Sequence, residues 1–296
     1  MNYLKKINTG IYKIKDKIFL KCEWQSITGT PKARFVSYRI NRLENEGLIK
    51  KGMNLYDVST GSEAVALAQF GVMKGYKVEV WLPDYCNKNF IEYVKRFGAK
   101  VNFVNGNNWL KEGAAKAREA AEKDKNGFYF NQADSLEDAT KAYSSLGEEF
   151  ASVLKEKGVI PDALVSVVGS GGLLFGTAIG MKKIFPSIKV YAIELDTATY
   201  LYSSFYKKEL KLNSHHVWGI SSEGSTRMKE ELLKLIEGVI LINEKEMKVY
   251  TKKVPREEGI SIDYPTASNI LGAEKLLKKD FKSIATIWTG HGWRTL

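Results

Sequence analysis

The chain has 296 residues, enough for two lobes, because single cores stop growing at ~250 to 300 residues. Its hydrophobic content of 44% is that of an ordinary globular protein, and no apolar run reaches the ~20 residues of a membrane-spanning helix, so no membrane partner is expected. The 45 Lys+Arg exceed the 34 Asp+Glu, but the lysines are scattered among glutamates, as in Lys229-Glu230-Glu231, which favours a solvated surface, so no nucleic-acid partner is expected.

The N-terminal Met1-Asn2-Tyr3-Leu4-Lys5-Lys6 is charged and has no apolar segment after it, so no signal peptide and a cytoplasmic location are expected. Cys22 and Cys86 are too far apart for a metal knuckle and too few for a disulfide scaffold; no metal site is expected. A glycine- and hydroxyl-rich turn, Ser26 to Arg34, leads into an amphipathic helix over Phe35 to Glu46. Lys32 stands at that helix start, where the dipole disfavours a cation and lowers its pKa, as a nucleophilic amine requires. A second turn, Asp57-Val58-Ser59-Thr60-Gly61-Ser62-Glu63-Ala64, joins an apolar strand to a helix over Val65 to Met73. Its amides and hydroxyls suit a carboxylate, and Ser59 or Ser62 equally suits a helix cap.

Apolar runs then alternate with amphipathic stretches: Lys77 to Leu82, Phe90 to Phe97, Val101 to Val104 and Gly113 to Lys123. The rhythm returns with Ala163 to Val168, a helix over Thr177 to Ile184, Val190 to Glu194, Val239 to Ile242 and Ile284 to Thr289. Two such blocks predict an α/β protein of two doubly wound lobes with parallel sheets. Between the strand at Ala163 and the following helix lies Gly169-Ser170-Gly171-Gly172, whose amides suit a phosphate. It lacks the Lys-Ser or Lys-Thr of a nucleotide P-loop, so a cofactor with one phosphate monoester fits better. In open parallel sheets ligands sit beyond the strands' carboxyl ends, where this turn and Thr289-Gly290-His291-Gly292 both fall.

These motifs, in this order, resemble the fold-type II pyridoxal-phosphate enzymes, the family of cysteine synthase, cystathionine beta-synthase, serine/threonine dehydratase and threonine synthase. Ile7 to Ile11, Leu20-Lys21-Cys22-Glu23 and Thr28 to Arg34 are similar to the family's N-terminal segments. The resemblance implies pyridoxal 5'-phosphate as cofactor and Lys32 as the catalytic lysine that forms a Schiff base with it. It implies that Gly169, Ser170, Gly171 and Gly172 hold the phosphate, that Ser62 meets the phenolic oxygen, and that Thr289 faces the pyridine nitrogen. Ser59, Thr60, Gly61, Glu63, Gln132 and Gly219 are implied as substrate-binding residues. It further implies a homodimer, a large cofactor-binding domain over 1–36 and 143–296, and a small, mobile domain over 37–142.

Three departures bear on the substrate. Ser62 stands where an asparagine is usual, Pro31 precedes the lysine, and Glu63 sets a carboxylate beside a loop meant to hold one. A neutral hydroxyl at Thr289 does not hold the ring nitrogen protonated as a carboxylate would, which favours prompt loss of a β leaving group. The expected reaction is β-replacement or β-elimination on a small amino acid, cysteine synthase-like, with O-activated serine and a nucleophile such as sulfide. The alternatives are a serine/threonine ammonia-lyase, a threonine synthase-like enzyme with Arg227, His215 and His216 as candidate phosphate contacts, and a non-catalytic amino-acid-binding relative.

Overall fold

The computed structural model describes residues 7–59, 61–105, 109–132, 135–211, 215, 217–220 and 227–295. Its strands are β1 (Ile11–Ile14), β2 (Ile18–Cys22), β3 (Asn54–Val58), β4 (Lys77–Pro83), β5 (Lys100–Val104), β6 (Gly127–Tyr129), β7 (Ala163–Val167), β8 (Lys189–Leu195), β9 (Gly238–Ile242) and β10 (Ile284–Trp288). The helices are α1 (Lys32–Asn45), α2 (Ser62–Lys74), α3 (Lys88–Arg96), α4 (Trp109–Lys123), α5 (Leu136–Glu156), α6 (Gly172–Lys182), α7 (Tyr200–Tyr206), α8 (Lys229–Leu235), α9 (Glu244–Glu258) and α10 (Tyr264–Leu277). The chain divides into two compact units, Lys32–Asp138 and Met1–Pro31 with Ala139–Leu296.

In the unit Lys32–Asp138 four parallel strands lie in the order β5-β4-β3-β6. The chain steps outward from β3 to β4 to β5 and then returns to place β6 on the other side of β3. That reversal opens a crevice beyond the carboxyl ends of β3 and β6, the general ligand position of an open α/β sheet. Tyr56, Val58, Trp81, Val104 and Trp109 form a core under one face.

The other unit holds six strands in the order β1-β2-β10-β7-β8-β9. β7 reads Ala-Leu-Val-Ser-Val and is buried along its whole length, as a central strand covered on both faces must be. Here too the order reverses: β8 and β9 extend from one side of β7, and β10 sits on the other. β10 and β7 pair at Ile284–Ala163 and Ala285–Leu164 and then part. The Asn269 carboxamide of α10 fills the gap, accepting from the Val167 amide and donating to the Ile287 carbonyl, both at 2.7 Å. A fully buried polar side chain is thereby satisfied, and the crevice is wedged open.

Two details differ from the sequence expectation. β1 runs antiparallel to β2, because Lys15 and Asp16 both take positive φ, 49° and 54°, and close a tight hairpin without glycine or asparagine. The helix expected from Thr177 starts at Gly172: Gly171 takes φ +100° and ends the turn, and the next residues are already helical. α6 also packs backbone to backbone on α5, since a Cβ on Gly180 would lie 2.0 Å from the Ser144 carbonyl oxygen and one on Gly147 2.1 Å from that of Thr177.

Candidate active site

The residues singled out in the sequence gather at the reversal points of the two sheets. In the unit Lys32–Asp138, Lys32 is the first residue of α1, Ser59 to Glu63 follow β3, and Gln132 follows β6. Lys32 Nζ donates to Gln132 Oε1 at 3.0 Å. The Gln132 amide donates to Asp57 Oδ2 at 2.9 Å, and the Val58 amide to Asp57 Oδ1 at 2.8 Å, so Asp57 ties the two loops together from the end of β3. Ser59 Oγ accepts from the amides of Gly61 and Ala64 at 3.0 and 3.1 Å; it is the oxygen that caps α2, and it keeps its own proton to donate. Gly61 sits at φ +132°, with Phe90 against the place of its missing Cβ. Ser62 is half-buried. Thr60 lies outside the described residues.

Glu63 is 2% exposed, and neither carboxylate oxygen has a hydrogen bond of ordinary geometry among the described residues. Burial pushes its pKa well above the ordinary value, the charge of Asp57 pushes it further, and Lys32 and the Ser59 hydroxyl pull it back. Asp57 is likewise raised by burial, to about 7. Lys32 retains some exposure overall, but its amine is desolvated, and this lowers its pKa while Glu63 and Asp57 oppose the shift. Burial is thus the chief cause of the lowering that the sequence attributed to the helix start. The amine, two raised carboxyls and Gln132 thus bring perturbed titratable groups together in one buried cluster.

In the other unit, Gly169 and Ser170 are half-buried at the end of β7 and lead through Gly171 into α6. The first intrahelical bond of α6 is Phe175 N to Gly171 O, so the amides of Gly172, Leu173 and Leu174 have no acceptor within the helix. No acidic residue occupies that first turn, and Thr177 Oγ1 is buried with no hydrogen-bond partner among the described residues. This helix start suits a phosphate monoester. Gly219, at φ +80°, comes against it: a Cβ on Gly169 would lie 3.4 Å from the Gly219 carbonyl oxygen. Thr289 follows β10 with its hydroxyl 3.0 Å from both Asp263 Oδ1 and Thr266 Oγ1. The sequence reading assigned no role to Asp57, Asp263, Thr266 or Asn269. The signals were a carboxylate ending an apolar strand, and Asp263-Tyr264-Pro265-Thr266, the pattern of a helix cap. Of the candidate phosphate contacts, Arg227 is exposed, His215 accepts from the Val217 amide at its own turn, and His216 lies outside the described residues.

Each unit by itself thus offers one piece of chemistry: a desolvated amine suits an aldehyde, and a helix start whose first amides have no acceptor within the helix suits a phosphate. The chain matches the model of the pyridoxal-phosphate dependent enzymes over residues 4–290 and belongs to that family; its cofactor is pyridoxal phosphate. It is 26% identical to a probable cysteine synthase of Bacillus subtilis, spanning 89% of this chain and 82% of that one. It is also 26% identical to the cysteine synthase of Dictyostelium discoideum, over 97% and 80% of the two chains. Among solved structures, a hydrogen sulfide-producing enzyme from Fusobacterium nucleatum superposes with TM-score 0.87 at 23% identity, covering 98% of this chain and 97% of its own. An O-acetylserine dependent cystathionine beta-synthase from Helicobacter pylori gives 0.86 at 21%, covering 97% and 94%. At those identities the structural likeness shows the fold.

Proposed function

We propose that the protein is a cysteine synthase-like enzyme that carries out β-replacement or β-elimination on a small amino acid, using Lys32 as the lysine that holds the cofactor. The desolvated Lys32 amine, donating to Gln132 at the reversal point of its sheet, is the observation that carries this reading. Bound there, pyridoxal phosphate supplies an electron sink that acidifies the Cα–H of an attached amino acid. Gly169 to Gly172 and the first turn of α6 would hold its phosphate, Ser62 its phenolic oxygen and Thr289 its ring nitrogen. Ser59, Gly61, Gln132 and Gly219 would orient the substrate, with Thr60 and Glu63 beside them. Lys32 Nζ would be the base that takes the α-proton, and the lowering of its pKa by burial favours the free amine that this needs. The reading carries a homodimer in the cytoplasm as its setting.

Borohydride reduction of the cofactor-loaded protein, digestion and mass spectrometry should find the pyridoxyl mass on Lys32, and none there in Lys32→Ala. A label on a different lysine, or no retained cofactor, overturns the assignment. With O-acetylserine and sulfide, cysteine should form at least ~100-fold faster than in Lys32→Ala. Serine or threonine giving keto acid and ammonia in preference would replace this reading by the ammonia-lyase.

A further inference from the structure

The proposed chemistry gives the Glu63 carboxyl no task. It stands in the first turn of α2, 2% exposed, and neither of its oxygens has a hydrogen bond of ordinary geometry among the described residues. Lys32 and Arg39 act on it from α1, Asp57 from β3 and the Ser59 hydroxyl from its own turn, all within the unit Lys32–Asp138. α3 and β4 meet α2 through Phe90, at Gly61, and Val78, at Gly71, both apolar.

The same turn suits an anion. The first intrahelical bond of α2 runs from the Val65 amide to the Gly61 carbonyl, and the Ala64 amide goes to Ser59 Oγ, so the Ser62 and Glu63 amides precede the helical ladder. A carboxylate arriving there meets the Glu63 charge in a buried, poorly screened place. Two carboxylates so placed do not both ionise; one takes a proton. Glu63 is prepared to be that one, since burial and the Asp57 charge push its pKa well above the ordinary value, against the pull of Lys32, Ser59 and Arg39. Once protonated it repels no anion and has an O–H to donate.

We infer, on the proposed function, that Glu63 is a specificity-determining residue: it admits an amino acid's carboxylate only with one proton, drawn from solvent and held on its own carboxyl. Binding of the amino acid therefore strengthens as pH falls. A ligand whose carboxylate is replaced by a carboxamide carries no such charge and needs no such proton.

The test is calorimetry of the cofactor-loaded protein with L-alanine, which has no β leaving group, in two buffers of different ionisation enthalpy. Between about pH 7.5 and about 9 the wild type should take up about one proton more per alanine than Glu63→Gln, and its dissociation constant should rise up to about tenfold per pH unit relative to the variant. The ligand's amine releases its own protons alike in both proteins and cancels. L-Alaninamide should show no difference between them. Equal proton counts for alanine overturn the inference and leave the proposed function standing; so does an equal excess with alaninamide, because the proton then answers to something other than the carboxylate. Should Glu63→Gln not fold, infrared difference spectra of the wild type decide. Alanine, unlike alaninamide, should raise a protonated-carboxyl band that ¹³C in the ligand's carboxylate leaves in place, and its absence overturns the inference. No borohydride label on Lys32, or no binding of alanine by the loaded protein, overturns the proposed function and this inference together.

Discussion

Glu63 is the residue whose environment is least like its sequence neighbours suggest. A carboxylate in the first turn of a helix is favoured by the dipole, yet this one is buried, lacks a well-formed hydrogen bond among the described residues, and shares its surroundings with Asp57 and Lys32. It supports the charged form of Lys32, and so opposes the desolvation that frees the amine. Glu63→Gln should therefore lower the Lys32 pKa further and make apoprotein Lys32 label faster with an amine-directed reagent at neutral pH, read by mass spectrometry across a pH series. An unchanged or upward-shifted labelling profile would show that the two groups do not interact.

At the level of elements, β2 is pinned to α5 by charge. Lys21, buried on β2, donates to the Thr9 carbonyl, to Thr9 Oγ1 at 2.6 Å and to Glu149 of α5, while the Thr9 hydroxyl donates to Glu23 Oε1 at 2.7 Å. The Glu149 carboxylate also accepts from the Thr9 amide at 3.0 Å. Removing one partner of such a pair leaves an uncompensated buried charge, so Lys21→Met should cost about 3 to 5 kcal/mol in urea unfolding. Lys21→Met with Glu149→Leu should recover much of that loss; a single variant as stable as the wild type would show the pair to be idle. The Lys21-Cys22-Glu23 segment resembles a family motif, and its residues serve the framework here, holding β2 beside β10, from which Thr289 emerges.

Over the whole molecule the buried acids set the pH response. Glu194, which accepts from the amides of Leu201 and Tyr202 at 2.8 Å each, is raised by burial to about 7, as is Asp57; Asp263 and Glu63 are raised also. A carboxyl whose pKa is higher folded than unfolded binds its proton more tightly in the folded state. Its contribution is therefore favourable below the unfolded value, about 4, and falls away as pH rises toward the folded one. Apoprotein stability should rise as pH is lowered from about 7.5 to about 5, by a few kcal/mol at most, and urea midpoints across that range check it. A midpoint that climbs steadily toward alkaline pH would contradict it.

Much of this was legible in the residues taken in order. The alternation of apolar runs with helical stretches gave away parallel sheets, because β7 and its neighbours are covered on both faces and need no polar side. The turns after β3, β7 and β10 announced themselves through glycine and hydroxyl residues, which local backbone geometry demands wherever they are placed, whereas Gln132 after β6 was reached only through the family resemblance. The hairpin at Lys15-Asp16 was hidden, since side-chain identity says little when ordinary residues take positive φ. What tertiary structure alone decided was the company each site residue keeps. Desolvation of Lys32 and its hold on Gln132, the bridge of Asn269 between parting strands and the contact of Asp263 with Thr289 all join residues distant in the sequence. Burial and hydrogen-bond direction are properties of that assembled surrounding, and they set the proton chemistry that a motif only permits.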